Sequence, residues 1–146
     1  MEQAKNLARE LMQFIHSSPS CYHVTANFAA MLEKSGYTEL CEQEKWHLQA
    51  GGKYFVTRNR SSVIAFTLPA QKPGSFHIIA SHSDSPTFKI KENPEHPALG
   101  HYVQLNTEKY GGSLMATWFD RPLSVAGRVL VQQDGAIAVK PVAVEE

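Results

Sequence analysis

His82 and Asp84 are the two residues of this 146-residue chain best suited to chemistry. They follow the apolar run 76–79 in the stretch ASHSDSP, with one serine between them. If that run is a strand, side chains two residues apart leave the same face, so the imidazole and the carboxylate point together beyond the strand end. A histidine oriented by a carboxylate is the usual arrangement at a metal. The spacing alone fits zinc ligation by His82, but it fits a polar turn capped by Asp84 more readily.

Other candidate sites are weaker. Serines at 81, 83 and 85 interleave with His82 and Asp84, but consecutive residues cannot converge on one proton relay, and the chain has no G-x-S-x-G motif. His96 and His101 could hold a metal between them, although a pair of exposed loop histidines is the simpler interpretation. These residues therefore predict neither a serine nucleophile nor a second metal site.

The segment KYGGSLMATWFDRPLSVAGR is dense in glycine and aromatic residues. Its neighbouring Asp120 and Arg121 stand beside Trp118 and Phe119, a combination typical of packed junctions and subunit interfaces. A catalytic role for Asp120 is the alternative. Because no histidine or glutamate is adjacent, the segment favours a packed junction or a subunit contact.

Composition narrows the classes of protein. The chain is 42% hydrophobic, which is enough to build a core. Its 14 basic and 14 acidic residues give a formal net charge of zero, so the composition does not indicate a basic surface for nucleic acid or anionic membrane. Cys21 and Cys41 form no disulfide framework, and the start MEQAKNLARELM does not resemble a secretory signal. We expect a cytoplasmic protein with reduced thiols and no membrane or nucleic-acid partner.

The amino-terminal third predicts two helices. Apolar residues recur at helical spacing from Ala4 to Ile15, and Pro19 ends that pattern. A second helix starts after Ser20, a suitable N-cap, and ends at Gly36, a suitable left-handed residue. We expect this second helix to bury the four apolar residues Val24, Phe28, Met31 and Leu32.

The remainder predicts strands. KYFVTRNRSSVIAFTLP and GRVLVQQDGAIAVKPV each contain two β-rich runs about a turn, and the Asp134–Gly135 pair suits a type I′ hairpin. GSFHIIASH predicts a strand covered on both faces, and YVQLNTEKYGGS predicts another. We expect FKIKENPEHPALGHY to break at Pro94 and Pro97. Together the elements indicate an α/β fold.

Five stretches, in order, resemble motifs of one family: SPSCYHVTANFAAMLEKSGYTEL, EKW, GGKYFVTRNRSSVIAF, ASHSDSP and ATWFDRPLSVAGRV. The chain resembles the amino-terminal part of the aspartyl aminopeptidases, the M18 group of zinc metallopeptidases. The resemblance runs from about Ala4 to Val131. The long string TWFDRPLSVAGRV makes it specific.

The resemblance implies a site with two zinc ions in an α/β catalytic domain that removes Asp or Glu from the amino terminus of peptides. It implies that His82 is the first metal ligand and that Asp84 is the catalytic-site carboxylate that orients it. It also implies that residues 1–91 begin the catalytic domain. Residues 92–146 would then be the β-rich start of an inserted domain that assembles a homo-oligomer.

The chain also departs from the family pattern, because the family's members are much longer. The bridging Asp, the general base and the remaining ligands belong to later segments, and one histidine cannot hold catalytic zinc. We therefore expect this amino-terminal portion to be inactive by itself. The alternative is a non-catalytic interaction or assembly module derived from the same family.

Overall fold

The computed structural model describes residues 1–72 and 74–144. Contacts divide the chain into two compact units. The first comprises Met1–Asp84 together with the segment from Ser124 onwards, and the second comprises Ser85–Leu123. Two helices followed by β-strands confirm the predicted α/β class.

Both predicted helices are present. They are α1, Glu2–His16, and α2, Cys21–Lys34. Gly36 takes a φ of 79°, which confirms the expected left-handed residue after α2. Ser20 is the N-cap as predicted, but its hydroxyl lies 2.8 Å from Nδ1 of His23 and makes no side-chain hydrogen bond to the helix backbone.

The predicted buried face of α2 is wrong in part. Phe28 is 40% exposed and Met31 is 54% exposed, and Phe28 contacts only the edge of the Phe14 ring, at a centroid distance of 6.1 Å, among the ring contacts of the described residues. The buried residue of α2 is instead Thr25, at 2% exposure. Among the residues that the structure describes, its hydroxyl has no hydrogen-bond partner. The apolar spacing identified the helix, but packing at the face depends on neighbours that this part of the chain does not supply.

Three strands form the first sheet, in the order β1 (Thr38–Glu39), β2 (Lys53–Arg58) and β3 (Ser62–Thr67). β1 runs parallel to β2, and β2 runs antiparallel to β3. Phe55 is fully buried and Tyr54 is 8% exposed, and these are the buried apolar side chains of the described residues. The small core of the first unit therefore lies on β2.

The β2–β3 connection confirms the hairpin predicted from the sequence. Asn59 and Arg60 have φ values of 53° and 54°, the left-handed geometry that a type I′ turn requires at both central residues. Asparagine tolerates that geometry better than most residues do, whereas arginine does so at a cost. Contacts with surrounding residues must therefore offset the conformational cost of this turn.

The strand predicted in GSFHIIASH is wrong. None of the described residues from 74 to 86 belongs to a strand, and Phe76, Ile78 and Ile79 are 84%, 85% and 99% exposed. A strand exists only where a second strand accepts its backbone hydrogen bonds. None of the described strands pairs with this run, so an apolar sequence remains open to solvent.

The second unit contains the hairpin of β4 (Thr87–Ala98) and β5 (Tyr102–Tyr110), followed by a 3₁₀ turn at Met115–Trp118. The predicted break at Pro94 and Pro97 is wrong, because β4 continues through both prolines with a shift of register between Ile90 and Glu95. In a two-stranded sheet each strand has an outer edge, where a missing backbone N–H costs no ladder hydrogen bond.

The last hairpin returns to the first unit. Its strands are β6, Val125–Gln133, and β7, Ala136–Val144, paired without interruption from one end to the other. Asp134 and Gly135 have φ values of 52° and 80°, which confirms the predicted type I′ turn.

Two further observations concern the environment of the chain. Both Cys21 and Cys41 are free thiols. In the part of the chain that the structure describes, no helix combines the length and the apolar character needed to cross a membrane.

Candidate functional site

His82 and Asp84 lie in contact, although the segment that carries them is not a strand. Nδ1 of His82 is 2.9 Å from Oδ1 of Asp84. An ionised carboxylate can only accept hydrogen bonds, so the ring donates from Nδ1 and keeps its lone pair on Nε2. This is the tautomer in which Nε2 is able to bind a metal ion.

The two partners differ in exposure. The side chain of His82 is 90% exposed, whereas that of Asp84 is 34% exposed. The imidazole therefore stands open to a ligand while the carboxylate behind it is partly covered by protein. A partly covered carboxylate holds a ring more firmly than a fully solvated one, because water competes less for its oxygens.

The residue between them connects this segment to the first sheet. The hydroxyl of Ser83 donates a hydrogen bond of 2.8 Å to the backbone oxygen of Ser61, which lies 22 residues earlier in the β2–β3 turn. Ser83 is partly buried. The segment that carries His82 thus lacks strand pairing but has a side-chain bond to an ordered turn.

The described residues supply one candidate ligand of a zinc site, His82. Catalytic zinc usually takes three protein ligands and a water molecule. Across residues 1–72 and 74–144, no group of three or more His, Cys, Asp or Glu side chains is placed to hold a metal ion. His82 with its orienting carboxylate fits the first ligand of such a site, and the described chain does not complete it.

The rival histidine pair has a different environment. Nδ1 of His96 lies 3.1 Å from the backbone oxygen of Pro97, to which it can donate, and both His96 and His101 are exposed. The two belong to the β4–β5 hairpin and to its connecting turn. Their surroundings are those of solvated surface histidines.

The segment at 118–121 is only partly packed. The Trp118 ring meets the Phe88 ring edge to face at a centroid distance of 5.5 Å, and Trp118 is half-buried. Phe119 is 75% exposed, and the side chains of Asp120 and Arg121 are exposed with 3.4 Å between their nearest charged atoms. The segment thus carries an apolar and charged surface that the second unit itself leaves uncovered.

Sequence reasoning missed the role of Ser83. The serines around His82 were rejected as nucleophiles, and the alternation of Ser81, Ser83 and Ser85 gives no sign that one of them differs. The acceptor of Ser83 is a backbone carbonyl, which carries no sequence signal, and it lies in another element. Only the folded chain distinguishes this serine from its neighbours.

Comparison with known families gives one match over nearly the whole chain. Residues 14–146 match the family described as Aminopeptidase I zinc metalloprotease (M18). The matched range begins near the end of α1 and contains α2, both type I′ hairpins and the segment with His82 and Asp84.

Curated relatives carry the same family name. The chain is 48% identical over 140 residues to the probable M18 family aminopeptidase 2 of Clostridium acetobutylicum, covering 94% of this chain and 32% of that protein. It is 45% identical over 133 residues to the protein of the same name from Pseudomonas aeruginosa, covering 90% of this chain and 31% of that protein. The chain therefore spans about a third of the length of the curated relatives it matches.

Solved structures share the fold. The Ape4 chain of a complex with Nbr1 superposes with a TM-score of 0.93 at 42% identity, covering 99% of this chain and 28% of that one. The yeast mApe1 dodecamer superposes with a TM-score of 0.82 at 30% identity, covering 97% of this chain and 34% of that one.

Proposed function

The chain belongs to the M18 family of zinc aminopeptidases, and from that premise we propose that it supplies the first zinc ligand, His82, of an aminopeptidase active site. The observation that carries the proposal is the contact of 2.9 Å between Nδ1 of His82 and Asp84. It selects the tautomer with a free lone pair on Nε2, in a ring that is open to a ligand.

Each of the two residues has its own part in the proposed site. His82 binds the metal through Nε2, and Asp84 holds the ring orientation and raises its basicity from the other side. When bound, zinc supplies a Lewis acid for the scissile carbonyl and lowers the pKa of a bound water. The proposed reaction uses two zinc ions. We propose that residues outside the described chain supply the other metal ligands and the general base.

The substrate is proposed to be a peptide with Asp or Glu at its amino terminus. The support is the resemblance of five ordered sequence motifs to the aspartyl aminopeptidases. A site that selects an acidic side chain needs a basic group to pair with it. The described chain does not assign that group.

The remaining features of the proposal concern organisation. We assign residues 1–91 to the catalytic domain and 92–146 to an assembly domain, as the resemblance implies, whereas the compact units of the structure divide after Asp84 and return β6 and β7 to the first unit. The proposed homo-oligomer is supported by the dodecamer found for the related mApe1. The free thiols Cys21 and Cys41 suit a cytoplasmic location. The chain alone is proposed to be inactive, since its described residues contain one corner of a metal site.

The first experiment tests inactivity of the chain alone. Purified polypeptide is measured for bound zinc by elemental analysis and for turnover of an Asp-terminal peptide. We expect neither stoichiometric zinc nor turnover. Stoichiometric zinc with turnover would show that the chain is catalytically complete. The next experiment distinguishes the proposed enzyme from the alternative, a non-catalytic interaction or assembly module.

The second experiment places the chain in a complete enzyme. A chimera joins it to the remaining length of the Clostridium acetobutylicum relative, replacing the 140 residues that match. We expect the chimera to bind zinc and to cleave Asp-terminal and Glu-terminal peptides faster than Leu-terminal or Lys-terminal ones. Equal rates on all four would reject the acidic specificity. An inactive chimera that still assembles would favour the non-catalytic alternative.

The proposed ligand is tested in the same chimera. His82→Ala should lose zinc and activity, whereas the matched control His96→Ala should keep both, because His96 is exposed and its ring hydrogen-bonds the backbone oxygen of Pro97. Retention of zinc in His82→Ala would remove His82 as a ligand. Loss of zinc in His96→Ala would revive the rival histidine pair.

A further inference from the structure

Ser83 is the structural link between the candidate ligand and the first sheet. Its hydroxyl donates 2.8 Å to the backbone oxygen of Ser61, and it is partly buried. Its neighbours Ser81 and Ser85 are exposed, and no side-chain hydrogen bond of either is found in the described part of the chain. Of three residues of one type, therefore, one is partly buried and bonded to another element, and the other two are exposed.

The acceptor lies in a well-defined turn. β2 and β3 pair in continuous register from Lys53 opposite Thr67 to Arg58 opposite Ser62, and the backbone nitrogen of Ser61 donates 3.1 Å to Arg58 O. A hairpin with an unbroken ladder fixes the position of its turn. The carbonyl of Ser61 is accordingly a fixed point to which a segment without strand pairing can be attached.

The same turn is held from a third element. One guanidinium nitrogen of Arg128, on β6, donates 3.0 Å to the backbone oxygen of Asn59 and 2.9 Å to its side-chain oxygen. The guanidinium carbon lies 4.6 Å from the centroid of the Tyr22 ring on α2, a cation–π arrangement. Arg128 thus clamps a turn whose residues Asn59 and Arg60 have positive φ.

We propose that Ser83 is a positioning residue of the metal site: through its bond to Ser61 it fixes the backbone between His82 and Asp84 relative to the β2–β3 turn. The proposal rests on the proposed role of His82. The contact between His82 and Asp84 alone orients the ring relative to its own segment. The contact between Ser83 and Ser61 orients that segment relative to the sheet, which a ligand set drawn from several elements requires.

Arg128 extends this arrangement by one step. If the turn is the anchor of Ser83, then the clamp on Asn59 determines how firmly the anchor is held. Replacing Arg128 by Gln removes the charge and the stacked guanidinium plane while keeping an amide donor. We expect Arg128→Gln to weaken zinc binding and to speed amide exchange at 82–84, as loss of the Ser83 hydroxyl does, but by a smaller factor.

The first test uses the full chain and nuclear magnetic resonance. At about pH 8, where an ordinary histidine is neutral, the ring nitrogen signals of His82 report which nitrogen carries the proton. Ser83→Ala should broaden or average these signals and speed amide exchange at 82–84 by about 2- to 10-fold, the loss of one hydrogen bond. Ser83→Thr, which keeps a hydroxyl, should restore the wild-type behaviour. Ser81→Ala is the matched control and should change nothing.

The second test measures zinc affinity in the chimera by competition with a chelator. Ser83→Ala should weaken zinc binding about 10- to 100-fold, the usual effect of losing a partner behind a metal ligand. Ser83→Thr should recover it, and Ser81→Ala should match the parent. A purely structural role would lower stability in Ser83→Ala without the rescue of zinc affinity by threonine.

The two proposals fail in different ways. If His82→Ala keeps its zinc, the ligand role fails, and with it the role of Ser83 at a metal. If His82→Ala loses zinc but Ser83→Ala binds it as tightly as Ser81→Ala and shows unchanged amide exchange, the ligand role stands and the positioning role of Ser83 is overturned.

Discussion

The β2–β3 hairpin and the run at 75–82 have similar residue types, but only the hairpin forms paired strands. Both are rich in β-branched and aromatic residues, and both predict strands. In the hairpin the partner strand follows four residues later, and Phe55 is fully buried. In the run no described strand is paired, and Ile79 is 99% exposed. The difference shows that strand propensity becomes structure only where a partner strand pairs with the run.

The comparison also explains why Ser83 matters. A segment outside the sheet has no ladder of backbone hydrogen bonds to hold it, so individual side-chain bonds carry more of its order. The bond from Ser83 to Ser61 joins the unpaired run to the paired hairpin. The paired hairpin thus provides the anchor, and the unpaired run carries the candidate ligand His82.

The largest expected effect comes from the hairpin core. Phe55→Ala removes the one fully buried aromatic side chain of the described residues and should lower the free energy of unfolding by about 3–5 kcal/mol. Ile79→Ala in the unpaired run should change it by less than about 0.5 kcal/mol, because that side chain is already solvated. Urea unfolding followed by circular dichroism measures both.

If Phe55→Ala does not fold, Phe55→Leu removes less volume and keeps the loss measurable. A cost for Ile79→Ala as large as that for Phe55→Leu would contradict the comparison, since it would mean that the run at 75–82 is packed in solution.

The second effect is steric. A Cβ added at Gly52 would lie 2.6 Å from Cζ of the Tyr54 ring, which is itself held near Phe66 at a centroid distance of 5.8 Å. Gly52→Ala should therefore destabilise the chain by about 1–3 kcal/mol, the usual cost of overpacking. Thermal unfolding provides the measurement.

Gly74→Ala is the matched control, since no described atom lies within 4 Å of the Cβ position. It should stay within about 0.5 kcal/mol of the parent. Equal costs at Gly52 and Gly74 would show that the close approach of Tyr54 is not what limits position 52.

The third effect concerns the β6–β7 hairpin, in which the two paired strands also follow each other directly in the sequence. Gly135 has a φ of 80°, so Gly135→Ala places a Cβ in left-handed geometry and should cost about 1–2 kcal/mol. Gly127 lies within β6 with open space at its Cβ position, so Gly127→Ala should stabilise by about 0.5–1 kcal/mol. Opposite signs in one hairpin, measured by urea unfolding, are the expected result; the same sign for both would refute the turn assignment.

The smallest effect is electrostatic. Arg58, whose Nε lies 2.6 Å from a carboxylate oxygen of Glu42, lowers the pKa of the Glu42 carboxyl below its usual value by hydrogen bonding. A carboxyl with a lower pKa in the folded chain stabilises the fold above its unfolded pKa, about 4.3, and loses that stabilisation as the pH falls through the folded value. Both groups are exposed, so the contribution is small.

Glu42→Gln should therefore lower the melting temperature slightly at neutral pH and flatten its decline below about pH 4.3. Glu44→Gln is the control, since no ion pair of Glu44 is found in the described residues. A variant of Glu42 that follows the parent curve at every pH would show that this ion pair does not contribute to stability.

Much of the local structure could be predicted. Helical spacing located α1 and α2, two β-rich runs located the β2–β3 hairpin, and the pair Asp134–Gly135 located a type I′ turn, because these signals depend on residues that are neighbours in the sequence. The order of the family motifs directed attention to His82 and Asp84. The ligand role of His82 itself stays a prediction.

The errors have a common cause. The stretch GSFHIIASH at 74–82 was predicted as a strand, the face of α2 as buried, and β4 as broken at its prolines. Each of these properties depends on what lies beside the segment in space. Partner edges and covering surfaces are not encoded in the segment, so periodicity and composition cannot supply them.

The sequence by itself determined the two helices, the two hairpins about their turns, and that an imidazole and a carboxylate lie two positions apart, since these are matters of local spacing. Tertiary structure decided that the two side chains meet outside any strand, at 2.9 Å, and that Ser83 alone among three serines is bonded to Ser61 in a distant turn. The reason is physical: a hydrogen bond to a backbone carbonyl 22 residues away depends on the folded path of the chain and not on the identity of the acceptor residue.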